Sequence, residues 1–329
     1  MKAIVQDRYG SPDVLEFRSV DTPVAGDGEV LVQVLAASVN AYDWHVMRGD
    51  PYLARVLMRS GFRGPRTKIR GRDFAGRVAA VGAHVTEFSP GDEVYGDLGH
   101  LSGTFAEYVC VPVDRVAPKP ANLSFESAAA VPLAANTALI GLVDVAEVQS
   151  GQRVLINGAS GGVGTFAVQL AKVCGADVTA VCSPRNVELV RGLGADQVVD
   201  YTSRDFTRSG QRYDVVFDLV GNHSVRGLRR ALVPSGVLLL SGGGTFTGGS
   251  LVGPMGLIIR AQLVSRFVSH RMVVLTETPS TRNLLRLCSL VESGVVTPVV
   301  DRTYPLSEVA AAIRYVETEH ARAKVVIVV

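Results

Sequence analysis

Residues 153–164 read Arg153-Val154-Leu155-Ile156-Asn157-Gly158-Ala159-Ser160-Gly161-Gly162-Val163-Gly164. An apolar strand runs into a glycine-rich turn. Apolar residues then recur at steps of three and four up to Gly175, as in a helix that ends at a glycine. A strand, turn and helix of this kind present backbone N–H groups to a pyrophosphate. In the fingerprint G-x-G-x-x-G the positions are Ala159, Gly161 and Gly164, so the first glycine is missing and the surrounding sequence must support the interpretation.

The sequence from Ser124 onward alternates strand-like and helical patterns. Six strands are predicted, at Val154–Asn157, Val178–Cys182, Val198–Tyr201, Val215–Val220, Val237–Leu240 and Met272–Leu275. Six strands joined by short helical crossovers are typical of a doubly wound parallel sheet. In this context residues 153–164 form the opening βα turn of a nucleotide-binding domain, although glycines that only pack a helix on a strand would give the same local pattern.

The first 124 residues are rich in β-branched and small apolar residues, which are separated by turn signals. The tail predicts helix, strand, helix and strand, at Thr281–Ser293, Val299–Tyr304, Leu306–Glu319 and Lys324–Val329. We expect the two tail strands to rejoin the N-terminal β-rich region, because they would otherwise lack partners. The predicted fold is therefore α/β, with a discontinuous β-rich domain (1–124 and 279–329) around a nucleotide-binding domain (125–278).

Composition narrows the class of protein. The chain has 329 residues, 47% of them hydrophobic, and a formal net charge of +2, which argues against a nucleic acid as the main partner. Its four cysteines are scattered, which indicates a reducing compartment and neither a zinc cluster nor a disulfide framework. The sequence has no run of about 18 apolar residues, so no membrane span is predicted. The N-terminus turns polar too early for a signal peptide. We expect a cytoplasmic protein.

The end of the second predicted strand bears on the choice of nucleotide. In dinucleotide folds an Asp or Glu there binds the ribose 2′-hydroxyl of NAD. Here the sequence offers Ser183 and Arg185, and Tyr201 ends the next strand. A hydroxyl and a guanidinium suit a 2′-phosphate, so we predict a preference for NADPH. The alternative is that Arg185 is only a polar residue at a helix start.

Taken together, the two halves resemble the medium-chain dehydrogenase/reductase superfamily, and within it the zinc-independent quinone oxidoreductase (zeta-crystallin-like) branch. The resemblance covers nearly the whole chain and is carried by the motifs Val39-Asn40-Ala41-Tyr42-Asp43-Trp44-His45, Gly71-Arg72-Asp73-Phe74-Ala75-Gly76, Pro90-Gly91-Asp92-Glu93-Val94-Tyr95-Gly96, Gly158–Gly164 and Ala323-Lys324-Val325-Val326. It implies a GroES-like catalytic domain at both chain ends around a Rossmann domain. An Ala at position 159 is expected in this branch.

The departures from the zinc-dependent relatives concern the metal. Zinc-dependent alcohol dehydrogenases of the superfamily have Cys where this chain has Asn40, and His-Glu where it has Arg72-Asp73. An Arg cannot ligate zinc, and Asn is a poor ligand for it. We therefore expect no metal, and no alcohol oxidation through a zinc alkoxide.

Without a Lewis acid, the substrate must already be electrophilic, as quinones and α,β-unsaturated carbonyls are. The resemblance places Asn40 and Asp43, in a loop from Asn40 to His45, by the nicotinamide, with Tyr42 and His45 facing the substrate. His45 could deliver a proton near neutral pH. Equally, His45 could be an ordinary packed or surface histidine, and Tyr42 could be a core residue. The candidate catalytic residues are Tyr42, His45 and Asn40.

Further cofactor contacts are expected at the glycine turn and at the carboxyl ends of the strands. Lys324 is also expected, because the resemblance places a phosphate-proximal lysine there, although a glycine usually precedes that lysine and here Ala323 does. In addition to Asn40, Asp43, Ser183, Arg185 and Tyr201, the predicted cofactor-binding residues are Thr137, Ser160, Gly161, Gly162, Val163, Val220, Gly221, Ser241, Gly242, Gly243 and Lys324.

The predicted partners are a small-molecule substrate and a second copy of the chain. By resemblance, the last strand of the sheet, Met272–Leu275, pairs with its twin in a homodimer, because an apolar edge would otherwise be exposed. The basic run from Arg55 to Arg72 is a solvated loop or helix face, or else a mobile cover beside the active site or an anion contact.

Three functions compete. The leading one is NADPH-dependent reduction of quinones or activated alkenes. An enoyl-thioester reductase is the alternative within enzymes, and it would need a basic groove for the carrier's phosphates, which the basic run could supply. An NADPH-binding regulatory protein without useful turnover is the alternative outside enzymes.

Overall fold

The computed structural model describes residues 1–52, 55, 61, 64–242, 253, 255–265, 267–319 and 321–329. These residues form two compact units. The first holds the chain up to Asn136 and again from Thr278 onward, and the second holds the described residues from Thr137 to Glu277. The division lies after the expected boundary at residue 124, because the helix Phe125–Ala129 packs on the sheet of the first unit.

The described strands and helices follow in chain order. The strands are β1 (Lys2–Gln6), β2 (Leu15–Ser19), β3 (Glu29–Val39), β4 (Asp73–Val81), β5 (Glu93–Asp97), β6 (Tyr108–Pro112), β7 (Val116–Pro118), β8 (Arg153–Asn157), β9 (Asp177–Cys182), β10 (Gln197–Asp200), β11 (Tyr213–Asp218), β12 (Leu232–Leu240), β13 (Arg271–Val274), β14 (Val300–Pro305) and β15 (Lys324–Val328). The α-helices are α1 (Ala41–Arg48), α2 (Phe125–Ala129), α3 (Pro132–Leu139), α4 (Gly162–Val173), α5 (Val187–Gly192), α6 (Val225–Arg230), α7 (Met255–Ser265), α8 (Thr281–Glu292) and α9 (Val309–Thr318). A π-helix, Ile140–Val145, follows α3.

The first unit is built on a sheet in the order β14-β15-β3-β4-β5-β7. Strand β3 is long enough to hold two partners on one side. Its first half pairs with β6, from Glu29 opposite Pro112, and its second half pairs with β15, from Val39 opposite Val325. The predicted return of the tail strands to the N-terminal region is therefore confirmed. The buried core of this unit combines residues from both chain ends, including Val32, Phe74 and Ile327.

The second unit contains a six-stranded parallel sheet in the order β10-β9-β8-β11-β12-β13. Counted along the unit, this is the order 3-2-1-4-5-6 of a dinucleotide-binding Rossmann sheet. All six predicted strands are present, with ends that differ by a few residues. Helix α4 ends as expected, because Gly175 has a φ of +78° directly after its last turn.

Helix α1 corrects the expectation of a loop from Asn40 to His45. Asn40 is the N-cap, and Gly49 ends the helix in the left-handed conformation with a φ of +60°. The side chain of Asp43 accepts a hydrogen bond from the Asn40 N–H at 2.8 Å, which satisfies a backbone donor that the first turn leaves unpaired. The sequence from Tyr52 to Ser60 also permits a helix, but most of these residues lie outside the described part of the chain.

Candidate functional site

The turn between β8 and α4 has the backbone that a pyrophosphate site needs. Gly158 has a φ of +87°, which only glycine adopts readily, so it supplies the turn that the missing glycine at Ala159 would have supplied. A Cβ on Gly164 would lie 2.2 Å from the Gly158 carbonyl oxygen, so the third glycine allows close packing of helix on strand. No side chain caps the start of α4 at Gly161.

The end of β9 brings three predicted cofactor residues into one region through a residue that the sequence analysis missed. The buried Asn186 donates from Nδ2 to Ser160 Oγ at 2.9 Å and to Ser183 Oγ at 3.2 Å. Its Oδ1 is buried and has no hydrogen-bond partner. Arg185 is exposed beside it, and Tyr201, after the next strand, is 52% exposed. The hydroxyls of Ser160 and Ser183 are thus held by the Asn186 amide. The side chains of Arg185 and Tyr201 are exposed to solvent.

The end of β11 is organised by Asp218, which the sequence analysis also missed. Its Oδ1 accepts the backbone N–H groups of Val220 and Gly221, at 3.2 and 3.1 Å, and the side-chain amide of Asn157 at 2.8 Å. Its Oδ2 is buried without a hydrogen-bond partner. Since Asn157 ends β8, this carboxylate ties together the ends of two neighbouring strands.

The remaining predicted contacts of the second unit are less informative. Ser241 and Gly242 follow β12, and Gly243 lies outside the described residues. Thr137 is buried within α3.

In the first unit, Asp73 connects four groups that are distant in sequence. Its Oδ1 accepts the Leu133 N–H at 3.0 Å. Its Oδ2 accepts from Ser38 Oγ at 2.7 Å, from Asn40 Nδ2 at 3.0 Å and from Lys324 Nζ at 3.2 Å. Lys324 Nζ also donates to Asn40 Oδ1 at 2.6 Å. Both the carboxylate and the ammonium are buried, so each compensates the charge of the other.

Asp43 is fully buried next to this cluster. One oxygen caps the Asn40 N–H, and the other, Oδ1, has no hydrogen-bond partner. Burial, together with the nearby negative charge of Asp73, raises the pKa of Asp43 to about 7. The carboxyl group therefore changes its protonation state near neutral pH.

Tyr42 lies over a buried ion pair. The guanidinium of Arg72 is 4.9 Å from the centre of the Tyr42 ring, and Arg72 Nε donates to Asp97 at 2.9 Å. Burial raises the pKa of Tyr42, so the phenol stays protonated and can donate a hydrogen bond. Because Arg72 is bound to Asp97, the charges of these two side chains compensate each other.

His45 lies beside a backbone acceptor. Its Nδ1 is 3.2 Å from the carbonyl oxygen of Asp50, which accepts a hydrogen bond from the tautomer that carries its hydrogen on Nδ1. The imidazole stacks on Trp44 with the ring centres 3.6 Å apart.

The basic run from Arg55 to Arg72 is partly solvated where it is described, since Arg66 and Lys68 are exposed, while Arg55 and Arg70 are bound within the protein. Arg55 donates to the Gly49 carbonyl at 2.7 Å and stacks on Tyr9, while the buried Arg70 donates to Gln6 at 2.7 Å. These cations bind the protein itself, because each has acceptors or aromatic faces within reach. Outside the described residues lie Arg59 and Arg63.

The comparisons with known proteins agree with this architecture. A family model of the alcohol dehydrogenase GroES-like domain matches residues 26–121, and a model of zinc-binding dehydrogenases matches residues 193–327. The 2-methylene-furan-3-one reductase of Solanum lycopersicum is 37% identical over 99% of this chain and 79% of its own length. The chloroplastic NADPH-dependent alkenal/one oxidoreductase of Arabidopsis thaliana is 36% identical over the same shares. The quinone oxidoreductase of Coxiella burnetii superposes with a TM-score of 0.87 at 33% identity, over 100% of this chain and 99% of its own.

The chain belongs to the medium-chain dehydrogenase/reductase superfamily, in its zinc-independent quinone oxidoreductase branch. One of the matching families is that of zinc-binding dehydrogenases, so the side chains at the zinc-ligand positions are compared with the ligands that zinc prefers. At the positions of the zinc ligands, Asn40 has its carboxamide oxygen occupied by Lys324, and Arg72 is a cation. The described residues contain no group of three or more His, Cys, Asp or Glu side chains placed to hold a metal ion. These residues do not fit a zinc ion.

No helix in the described part of this dehydrogenase/reductase is long and apolar enough to cross a membrane.

Proposed function

We propose that the protein is an NADPH-dependent reductase of quinones and α,β-unsaturated carbonyls. The observation that carries the proposal is the replacement of the zinc ligands by Asn40 and Arg72, each bound within the protein, together with a protonated phenol at Tyr42. A substrate reduced without a Lewis acid must itself delocalise the charge it receives. The relatives named for alkenal, furanone and quinone reduction act on substrates of this kind.

NADPH fits the residues of the second unit. The open start of α4 at Gly161, with Gly162 and Val163 in its first turn, would hold the pyrophosphate. Ser183, Arg185 and Tyr201 would hold the 2′-phosphate. When bound, the nicotinamide supplies a hydride to the electrophilic carbon or carbonyl of the substrate.

Helix α1 supplies the proton and the hydrogen bonds. The Tyr42 hydroxyl donates to the oxygen on which negative charge develops, and a protonated His45 delivers a proton from Nε2 while its Nδ1–H stays bound to the Asp50 carbonyl. Asn40, held by Lys324 and Asp73, orients the reacting end of the substrate.

The test is steady-state NADPH oxidation with a 1,4-quinone, an alkenal and an enoyl thioester. We expect turnover with the first two. In His45→Gln we expect kcat to fall about 10- to 100-fold, as for loss of a general acid. A fall of kcat with rising pH that is present in wild type should be absent from the variant. His84→Gln, an exposed histidine in the same unit, is the control. NADPH binding without oxidation of any substrate would instead favour a regulatory protein, and turnover of the thioester alone would favour an enoyl-thioester reductase.

We also propose that two copies associate through β13. This strand lies at the edge of the sheet, and α7, which packs on it, exposes the apolar side chains of Ile259 and Leu263. Phe267, just beyond the helix, is 86% exposed. An exposed apolar row beside an open edge is typical of an interface. The scattered reduced cysteines support a cytoplasmic location for the dimer.

The cofactor contacts of Asn40, Asp43, Thr137, Ser160, Val220, Gly221, Ser241, Gly242, Gly243 and Lys324 remain predictions.

A further inference from the structure

The second unit contains a cavity of about 550 Å³ between the loop after β11 and helix α7. Its size is in the range of small-molecule sites. The loop contributes residues 221–224, the start of α6 contributes Val225 and Arg226, and α7 contributes Leu257, Arg260 and Val264. The candidate catalytic residues of the proposed reductase belong to the other unit.

The cavity has an apolar floor. Val225 is buried in the hydrophobic cluster of this unit, and Leu257 and Val264 pack against that cluster. A ligand that fills the cavity would therefore place an apolar or aromatic body on these side chains.

The rim of the cavity is cationic. Arg226 and Arg260 line it, and both are exposed. Neither guanidinium has a hydrogen bond or ion pair with another described residue. No Asp or Glu is among the described lining residues.

The sequence around the cavity strengthens this asymmetry of charge. From Leu219 to Thr276 the chain has six arginines and two histidines and no aspartate or glutamate. The rest of the chain has 27 lysines and arginines against 31 aspartates and glutamates, a formal charge of −4, so positive charge is concentrated in this segment. Two arginines without acidic partners beside a cavity favour an anion, because a planar guanidinium binds phosphate oxygens through two parallel hydrogen bonds.

We infer that this cavity is a second ligand site, which binds an organic phosphate with its phosphate on Arg226 and Arg260 and its body on the apolar floor. The ligand is a free small molecule of up to nucleotide size. Gly221 lines the cavity and is also a predicted cofactor contact, so the test has to be made with the cofactor site filled.

The test is calorimetric titration of the protein, saturated with NADPH, with phenyl phosphate. Saturation keeps the probe out of the cofactor site. We expect phenyl phosphate to bind, and Arg226→Glu and Arg260→Glu each to weaken it about tenfold or more, as for loss of a charge-assisted hydrogen bond. Arg230→Glu is the matched control, because Arg230 is exposed on the same helix α6 and does not line the cavity. It should change binding less than twofold.

Three outcomes would overturn the inference. One is absence of binding once NADPH saturates the protein, which would assign the phosphate to the cofactor site. Another is an equal loss in Arg230→Glu, which would show attraction by overall charge only. The last is binding to phosphatidylglycerol vesicles without binding of phenyl phosphate, which would make this region a membrane surface. NADPH affinity, followed by nicotinamide fluorescence, reports whether each variant still folds.

Discussion

Asp73 shows how a single buried carboxylate can hold together residues that are far apart in the sequence. Where zinc-dependent relatives place His-Glu, this chain places Arg72-Asp73, and the carboxylate binds Ser38, Asn40 and Lys324. The buried ammonium of Lys324 supplies the positive charge that the carboxylate needs. These contacts of Asp73 could not be predicted from the sequence, because residues 38, 73, 133 and 324 are far apart along the chain and meet only in the folded unit.

Arg185 tests the choice of nucleotide. We expect Arg185→Asp to raise KM for NADPH about 10- to 100-fold, because a charge-assisted hydrogen bond to the 2′-phosphate is replaced by repulsion. KM for NADH should change less than about threefold, since NADH has no such phosphate. Arg208→Asp, on an exposed arginine of the same unit, is the control. Equal changes for both cofactors would contradict the assignment.

Asp43 predicts how stability depends on pH. An unfolded aspartate has a pKa of about 3.9, and the folded value is about 7, so the folded protein holds this proton more tightly. The protonated Asp43 therefore contributes to the stability of the folded state. This contribution is complete below about pH 4 and is lost as the pH rises towards 7. As the pH rises from 5 to 7, we expect the free energy of unfolding of wild type to fall by about 2 kcal/mol relative to that of Asp43→Asn, because the amide does not titrate.

Urea unfolding at pH 5, 6 and 7 measures this difference. Asp114→Asn is the control, because that side chain is exposed and its substitution makes the same change of charge. Parallel pH profiles for wild type and Asp43→Asn would show that the carboxyl group is already ionised throughout this range.

At the scale of elements, the strands were predictable and helix α1 was not. Strands β3 and β8 stand out because β-branched and apolar residues follow one another between turn signals. Residues 41–48 combine aromatic, β-branched and polar side chains with little helical periodicity, so they resemble a loop. The signals that could have identified α1 are its ends, with Asn40 as N-cap, Asp43 three residues later and Gly49 beyond the last turn.

The packing of α4 on β8 gives the prediction at this scale. In Gly164→Ala the new Cβ would lie 2.2 Å from the Gly158 carbonyl oxygen and 2.6 Å from the Ala159 carbonyl carbon. Backbone atoms cannot move aside as a flexible side chain would, so we expect a loss of about 1–3 kcal/mol in stability and weaker NADPH binding.

Gly192→Ala provides the comparison for that variant. Gly192 is also helical, and its Cβ would meet nothing within 4 Å. We expect it to leave stability unchanged or to raise it by up to about 1 kcal/mol. Thermal melts and NADPH titrations of both variants are the measurement, and equal behaviour would show that the close approach is not limiting.

At the scale of the whole molecule, the return of β15 to β3 was predictable because two orphan strands need partners. The edge position of β13 was predictable from the connection order, and the dimer remains a proposal.

Since the Leu275 N–H donates to Leu240, the N–H of the preceding residue, Val274, points to the open edge. Val274→Pro would remove that donor without breaking the pairing of β13 with β12.

We therefore expect Val274→Pro to shift the protein from dimer to monomer. Sedimentation velocity gives the mass, and circular dichroism shows whether the fold is kept. Val274→Ala keeps the N–H and should remain dimeric. A Val274→Pro protein that stays dimeric would rule out pairing through this edge.

The split side of β3 also has a consequence for the order of synthesis. The second half of its edge, and the ammonium that neutralises Asp73, both belong to β15, which is synthesised after both strands that it pairs with. The sheet of the second unit is complete once β13 has been made. Translation of Thr278–Val329 takes about 3 to 10 s at ordinary rates, and during this time the nascent chain exposes an open strand edge and an uncompensated carboxylate.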